Sequence, residues 1–210
     1  MTSPSAPPSL VFDGREDAAR TIALAHGAGA PMDSPFMGAF AEGLAARGFR
    51  VARFEFPYMA ARRGGGPRRP PDPAPTLLET WRAVIRRLGA EGLVIGGKSL
   101  GGRMASLVAD DMGVAGLVCL GYPFHPPDRP EALRTEHLKT LKTPTLIVQG
   151  ERDPFGSCAE VVLYRLSSAI RLHWLADGDH GFRPRRESGL SERENWGNGI
   201  AAVAAFVASL

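Results

Sequence analysis

Long apolar runs and an excess of charge of one sign are both missing from this sequence. No stretch of about 18 consecutive apolar residues occurs, so the sequence predicts no transmembrane helix. The formal net charge at pH 7 is only +3, and the basic residues are scattered along the chain. A scattered distribution gives no support to nucleic-acid binding. Neither a membrane nor a nucleic acid is therefore a predicted partner.

Cysteine is scarce as well. Cys119, in an apolar run, and Cys158, at a predicted helix start, are too few for a disulfide framework, and a reducing cytoplasm is the predicted location. Residues 1–8 are rich in Ser, Pro and Ala, without the positive region and apolar core of a signal peptide. We predict a disordered tail over residues 1–8, followed by one domain over residues 9–210.

Apolar strand patterns alternate with helical patterns along this domain. Strands are predicted over residues 9–12, 21–25, 49–56, 93–95, 114–120, 144–150 and 170–175. Helices are predicted over residues 34–47, 76–88, 103–110, 157–166 and 194–210. Because the strands are continuous apolar runs, we expect them to be buried on both faces. The sequence predicts an α/β fold, a doubly wound, mostly parallel sheet with helices on both faces.

Polar clusters that contain glycine follow four of the predicted strands. They span residues 26–30, 97–101, 151–156 and 177–182. In doubly wound sheets, ligands bind at the carboxyl ends of the strands. The four clusters are therefore predicted to meet in one site, whereas glycines with a purely structural purpose need not share this placement.

The second of these clusters contains the pattern G-x-S-x-G, formed by Gly97, Ser99 and Gly101. The pattern is typical of a nucleophile elbow, a sharp turn from strand to helix that exposes the serine hydroxyl. The serine takes a strained backbone conformation, and the glycines let neighbouring backbone pass without Cβ clashes. A glycine-rich turn with a bystander serine has the same pattern, so the interpretation depends on partners elsewhere in the chain.

Those partners follow in the order nucleophile, acid, histidine, as Ser99, Asp153 and His180. In this order the chain resembles the α/β-hydrolase superfamily. Its motifs HGAGA, GGKSLGGR, DPFG and GDH look closer still to small, capless hydrolases related to dienelactone hydrolases, in the group of the testis-expressed and NSL-complex subunit 3 proteins. Dienelactone hydrolases use a cysteine nucleophile, so dienelactone substrates are not implied here.

The resemblance implies a serine hydrolase that cleaves esters or thioesters of a small-molecule acyl substrate. Ser99 is then the nucleophile, His180 the general base and Asp153 the carboxylate that orients His180. The backbone N–H groups of Ala28 and Leu100 form the predicted oxyanion hole. No metal and no other cofactor is predicted.

Alternatives remain open for the acid and for the function. Asp177 and Asp179 lie in the same turn as His180 and compete with Asp153. The resemblance also allows a catalytically idle scaffold that acts in protein–protein interaction. An intact set of Ser99, Asp153, His180 and the HGxG motif at residues 26–29 favours the enzyme, because a scaffold has no need of all four.

The other histidines are predicted to be non-catalytic. His26 is expected to order its glycine-rich loop, and His125, in a proline-rich connection, to be a surface residue. His137 and His173 fall within a predicted helix and strand.

Two connections bear on the substrate. Residues 121–143 are too short for an independent cap domain, which predicts an open site. Residues 62–75 hold five prolines, three glycines and four arginines, and are predicted to form a mobile loop. Such a loop is either a solvated linker or a surface that steers substrates bearing a carboxylate or phosphate.

Overall fold

One sheet of seven strands organises the protein. The computed structural model describes residues 8–63 and 65–210, so the predicted tail, apart from Pro8, lies outside the described residues. The strands are β1 (Leu10–Asp13), β2 (Thr21–Ala25), β3 (Arg50–Phe54), β4 (Val94–Lys98), β5 (Gly116–Leu120), β6 (Thr145–Gly150) and β7 (Ile170–Leu175). The helices are α1 (Pro35–Ala45), α2 (Pro57–Arg63), α3 (Ala74–Leu88), α4 (Leu100–Ser106), α5 (Ala109–Met112), α6 (Cys158–Val161) and α7 (Glu192–Ala208).

The strands lie in the order β1-β3-β2-β4-β5-β6-β7. Only β1 runs antiparallel to its neighbour β3, and the other neighbouring strands pair in parallel. The predicted doubly wound, mostly parallel α/β sheet is confirmed. Among the described residues, no helix has both the length and the apolar character needed to cross a membrane.

Side chains of the central strands alternate between two buried layers, as the pleat requires. On β2, Ile22 and Leu24 pack in the layer that contains the apolar side chains of α1 and α7. Ala23 and Ala25 pack in the opposite layer, with those of α3 and α4. Both faces of the central strands are thus covered, and in sheets of this kind ligands bind at the carboxyl ends of the strands.

Two predicted helices differ from those observed. The helix predicted over residues 103–110 begins at Leu100 and stops at Ser106, whose hydroxyl donates to the Arg103 carbonyl oxygen at 2.7 Å and competes with the helical backbone. The helix predicted over residues 157–166 is only the single turn of α6. Leu163, which follows it, is 82% exposed, so no apolar burial stabilises further turns.

The predicted mobile loop over residues 62–75 is wrong at its start. Pro57 opens α2, which includes Arg62 and Arg63, because proline suits the first position of a helix. The Arg63 guanidinium donates to Glu55 at 2.7 and 2.8 Å and to Asp33 at 2.9 Å. Its charge is therefore paired rather than free to steer a substrate.

The last strand is less buried than predicted. Of the residues of β7, only Leu175 is fully buried. The reason is its place at the edge of the sheet, where β6 is its single neighbour among the described strands. The prediction of burial on both faces holds for the central strands β2, β4, β5 and β6.

Candidate active site

Ser99 stands at the sharp turn between β4 and α4. Its backbone has φ +48° and ψ −111°, a conformation that non-glycine residues rarely adopt and that is found mainly at functional sites. The two flanking glycines let other backbone approach, because a Cβ at Gly97 or Gly101 would overlap the Ala25 carbonyl oxygen. The local geometry is that of the predicted nucleophile elbow.

Asp153 and His180 lie together at the carboxyl ends of β6 and β7. The distance from His180 Nδ1 to Asp153 Oδ2 is 2.8 Å, and the aspartate is fully buried while the histidine side chain is 24% exposed. The Phe155 N–H donates to the other carboxylate oxygen, Oδ1, at 2.9 Å. A buried carboxylate on Nδ1 holds the imidazole with Nε2 free to accept a proton.

The two competing aspartates make other contacts. Asp177 pairs with Arg152 at 2.7 Å and with Arg185 at 2.6 Å, and the hydrogen bond from Arg185 lowers the pKa of its carboxyl to about 2. Asp179 Oδ1 accepts from the Gly181 N–H at 2.7 Å and the Arg183 N–H at 2.9 Å. Both carboxylates therefore shape the turn, and neither contacts the His180 ring.

The elbow and the histidine meet at Gly121. The Ser99 N–H donates to the carbonyl oxygen of Leu120 at 3.0 Å, and a Cβ on the next residue, Gly121, would lie 3.4 Å from His180 Cε1. The Ser99 hydroxyl makes no hydrogen bond to a described residue. Hydrogen bonds of catalytic groups are often loose without substrate and tighten when it binds.

The two backbone amides predicted for the oxyanion hole flank Ser99. Leu100 is the first residue of α4, so its N–H has no acceptor within the helix. Ala28 lies in the loop after β2, and a Cβ on its neighbour Gly27 would sit 3.8 Å from Ser99 Cβ. Neither N–H donates to a described residue.

His26 and Tyr58 hold the loop that carries Ala28. His26 is fully buried; its Nε2 accepts from the Phe56 N–H at 3.1 Å, and its Nδ1 lies 2.6 Å from the Gly27 carbonyl oxygen. The prediction that His26 orders this loop is confirmed. The Tyr58 hydroxyl donates to the Ala28 carbonyl oxygen at 3.0 Å, a contact that the sequence did not indicate because α2 was not predicted.

His125 is not the predicted surface residue. Its side chain is only 2% exposed, because the connection after β5 folds inward and the His125 N–H donates to the Phe155 carbonyl oxygen at 3.2 Å. His137 lies in a short 3-10 turn, Glu136–Lys139, and His173 on β7. All three are distinct from the Asp153–His180 pair.

Gln149 is a positioning residue that sequence reasoning missed. It is fully buried at the end of β6, where Nε2 donates to Asp153 Oδ2 at 2.9 Å and Oε1 accepts from the Tyr122 N–H at 2.7 Å. These bonds fix the carboxylate against His180. The sequence did offer one indication of this residue, because Gln149 is a polar amide at the penultimate position of the largely apolar strand β6.

The loop that carries His180 is fastened to α7. Asn195 Nδ2 donates to the Phe182 carbonyl oxygen at 2.9 Å, and Trp196 Nε1 donates to that of Gly181 at 3.0 Å. Phe182 is fully buried although its φ is +71°. These contacts keep the strained turn, and with it the imidazole, in one position.

Lys98 places a buried, unpaired ammonium beside His180. Its Nζ has no hydrogen-bond partner and would lie 2.7 Å from a Cβ at Gly121, the glycine that also borders His180. The rings of Phe36 and Phe182 lie 5.5 and 5.7 Å from Nζ. Burial lowers the pKa of Lys98 to about 8, against an opposing contribution from nearby carboxylates.

The electrostatics of this cluster favour a neutral His180. Burial is the main reason that the pKa of His180 is lowered, the Lys98 charge lowers it further, and the hydrogen bond to Asp153 raises it. A neutral imidazole is the form that can accept a proton. The ammonium thus favours the neutral imidazole of His180 over the imidazolium.

Replacement of Lys98 by methionine is expected to stabilise the protein and to shift its pH profile. Because the folded pKa lies below the unfolded value of 10.5, the ammonium destabilises the fold below pH 8, and this penalty fades as pH rises toward 10.5. At pH 7, below both pKa values, the variant should gain about 3 kcal/mol in unfolding free energy. The acid limb of kcat/KM should move to higher pH, because the pKa of His180 rises.

Denaturation at pH 7 and pH 10 and a kcat/KM profile check this prediction. Lys142→Met, at an exposed lysine, serves as the matched control and should change neither quantity. An unchanged acid limb together with lower stability in Lys98→Met would show that the ammonium has a structural purpose only.

Comparison with known proteins places the chain in a family. A sequence family described as an alpha/beta hydrolase domain matches residues 18–208. The protein belongs to the α/β-hydrolase family. Among the described residues, no group of three or more His, Cys, Asp or Glu side chains is placed to hold a metal ion.

Solved structures share the fold at low sequence identity. A lidless α/β serine hydrolase from Xanthomonas campestris is 19% identical, with 97% of this chain and 91% of that chain covered and a TM-score of 0.69. A serine hydrolase homologue from Coxiella burnetii is 21% identical, with 96% and 90% covered and a TM-score of 0.66. Est1E from Butyrivibrio proteoclasticus is 14% identical, with 95% and 94% covered and a TM-score of 0.69.

Proposed function

We propose that the protein is a serine hydrolase that cleaves carboxylic esters or thioesters of small acyl substrates through an acyl-enzyme intermediate. The observation that carries the proposal is the 2.8 Å contact between His180 Nδ1 and the buried Asp153 carboxylate, at the sheet edge where Ser99 holds its strained turn. Nucleophile, base and orienting acid thus occupy the ends of β4, β7 and β6.

The chemistry follows from the protonation states of these groups. The Asp153 carboxylate accepts a hydrogen bond from the Nδ1–H group of neutral His180. Nε2 is therefore unprotonated and takes the Ser99 proton as the hydroxyl oxygen attacks the carbonyl carbon. The tetrahedral oxyanion accepts hydrogen bonds from the N–H groups of Leu100 and Ala28. His180 then donates its proton to the leaving alcohol or thiol, and a water molecule repeats the sequence to release the acid.

Labelling by a fluorophosphonate probe tests the proposal. We expect stoichiometric labelling of the wild type at Ser99, none of the Ser99→Ala variant, and hydrolysis of short p-nitrophenyl esters by the wild type alone. A wild type that is folded but neither labelled nor active would instead support a catalytically idle interaction scaffold.

Two finer assignments belong to the proposal. The motifs HGAGA and GGKSLGGR support a relationship with the capless hydrolases related to dienelactone hydrolases and the testis-expressed and NSL-complex subunit 3 group. The free cysteines Cys119 and Cys158 support a reducing, cytoplasmic location.

Short acyl chains are expected to be the better substrates. The connection over residues 121–143 contains only the 3-10 turn Glu136–Lys139, which is too little structure for an independent cap domain. Each CH₂ that stays unburied forgoes about 0.8 kcal/mol. Acetyl and butyryl p-nitrophenyl esters should therefore exceed the palmitoyl ester in kcat/KM by at least about tenfold, measured below the micelle concentration. The reverse order would require an acyl tunnel.

A further inference from the structure

Two arginines beside the elbow have no carboxylate partner. Arg103 lies on the first turn of α4, where its N–H donates to the Ser99 carbonyl oxygen at 3.0 Å. Arg134 lies in the connection after β5, and its N–H donates to the Phe124 carbonyl oxygen at 2.7 Å. Arg103 Nε is buried without a hydrogen-bond partner. No described acidic side chain forms an ion pair with either guanidinium.

The positive charges of Arg103 and Arg134 act on each other, and neither is paired with a described carboxylate. Burial lowers the pKa of Arg134, and the charges of Arg103 and Arg129 lower it further. The neighbouring His137 is kept neutral, since burial and then the Arg103 charge lower its pKa to about 4. Holding like charges together in a partly buried place costs free energy unless an anion joins them.

Hydrogen bonds through Tyr122 link the Arg134 backbone to the strand end that carries Asp153. The Tyr122 hydroxyl donates to the Arg134 carbonyl oxygen at 3.0 Å, and Gln149, which holds Asp153, accepts from the Tyr122 N–H at 2.7 Å. Arg103 follows Ser99 by four residues on α4, a rise of about 6 Å. An anion held by Arg103 would therefore lie about one helical turn from Ser99.

The arginines of the segment over residues 62–75 lack these properties. Arg63 is paired with Glu55 and Asp33, and Arg68 and Arg69 are exposed, so salt screens them. The hypothesis of an anion-binding loop over residues 62–75 therefore gives way to the Arg103–Arg134 pair.

We infer that Arg103 and Arg134 bind a carboxylate of the substrate, so that the preferred substrates are esters that bear a second, ionised carboxyl group. The inference rests on the proposed hydrolase function and names its substrate class. Guanidinium groups suit this purpose because each offers a planar fork of donors to the two oxygens.

The test compares two esters of equal chain length, p-nitrophenyl hexanoate and the mono-p-nitrophenyl ester of adipic acid. We expect a ratio of kcat/KM, anionic over neutral, well above one at low salt. Arg103→Gln and Arg134→Gln should each lower this ratio about tenfold or more. Arg103→Lys should restore it only in part, because an ammonium lacks the fork.

The matched control is the double variant Arg68→Gln/Arg69→Gln, whose ratio should equal that of the wild type. An unchanged ratio in both Arg103→Gln and Arg134→Gln would overturn the inference, and so would a fall in the control alone. If Arg103→Gln fails to fold, Arg134→Gln and Arg103→Lys decide the matter.

A binding measurement separates this inference from the proposed function. In the Ser99→Ala background, monomethyl adipate should raise Tm more than methyl hexanoate does, and the additional Arg134→Gln change should remove the difference. If the wild type hydrolyses the neutral ester but shows no such preference in binding, the hydrolase function is supported and the carboxylate site is contradicted. If monomethyl adipate is preferred in binding but the wild type hydrolyses neither ester, the carboxylate site is supported and the hydrolase function is contradicted.

Discussion

The Ser99→Ala variant is expected to lose at least about 10⁴-fold in kcat against every ester that the wild type hydrolyses. Removal of the hydroxyl leaves only substrate binding and the amides of Ala28 and Leu100 to act on the carbonyl group. Alanine has the same difficulty as serine at φ +48°, so folding should be preserved. Initial rates, with Tm as the check on folding, give the measurement.

Ser106→Ala is the matched control for this experiment. The Ser106 hydroxyl, at the end of α4, lies 2.8 Å from Nε2 of His137 in the 3-10 turn, so a further serine–histidine contact exists. Ser106 is buried and no carboxylate orients His137, whose pKa is about 4. The control should retain most activity and all fluorophosphonate labelling. If Ser106→Ala loses activity while Ser99→Ala retains it, the nucleophile would be Ser106 rather than Ser99.

Asp153→Asn is expected to lower kcat by about 10⁴-fold. In the wild type, Asp153 Oδ2 accepts from both Gln149 Nε2 and His180 Nδ1. An amide NH₂ in that place would donate to Nδ1 and force the proton onto Nε2. The imidazole could then no longer accept the Ser99 proton, so the chemical step fails while binding persists.

Asp179→Asn supplies the comparison, because both variants replace a carboxylate by an amide near His180. Asp179 Oδ1 accepts from the N–H groups of Gly181 and Arg183, and an asparagine oxygen can do the same. We expect less than about tenfold loss in kcat. Steady-state kinetics with one short ester rank the two, and a larger loss in Asp179→Asn would place the acid in the histidine turn.

Local patterns in the sequence were sufficient for the fold class. Continuous apolar runs require burial on both faces, and alternation with amphipathic helices then leaves a parallel sheet as the arrangement that satisfies both. The carboxyl ends of such strands share one edge, so Ser99, Asp153 and His180 were predicted to meet. The same reasoning did not predict α2, a helix of about two turns. Its last residue, Arg63, pairs with Glu55 and Asp33, which are distant in sequence.

The sequence by itself determined the sheet, the elbow and the residues that gather at its edge, since these depend on strand and turn patterns that are local. Only the tertiary structure decided which aspartate contacts His180, that Lys98 is a buried, unpaired ammonium, and which arginines lack a partner. Each of these depends on distances between residues far apart in the chain. Charge pairing and desolvation arise from such distances, and no local pattern encodes them.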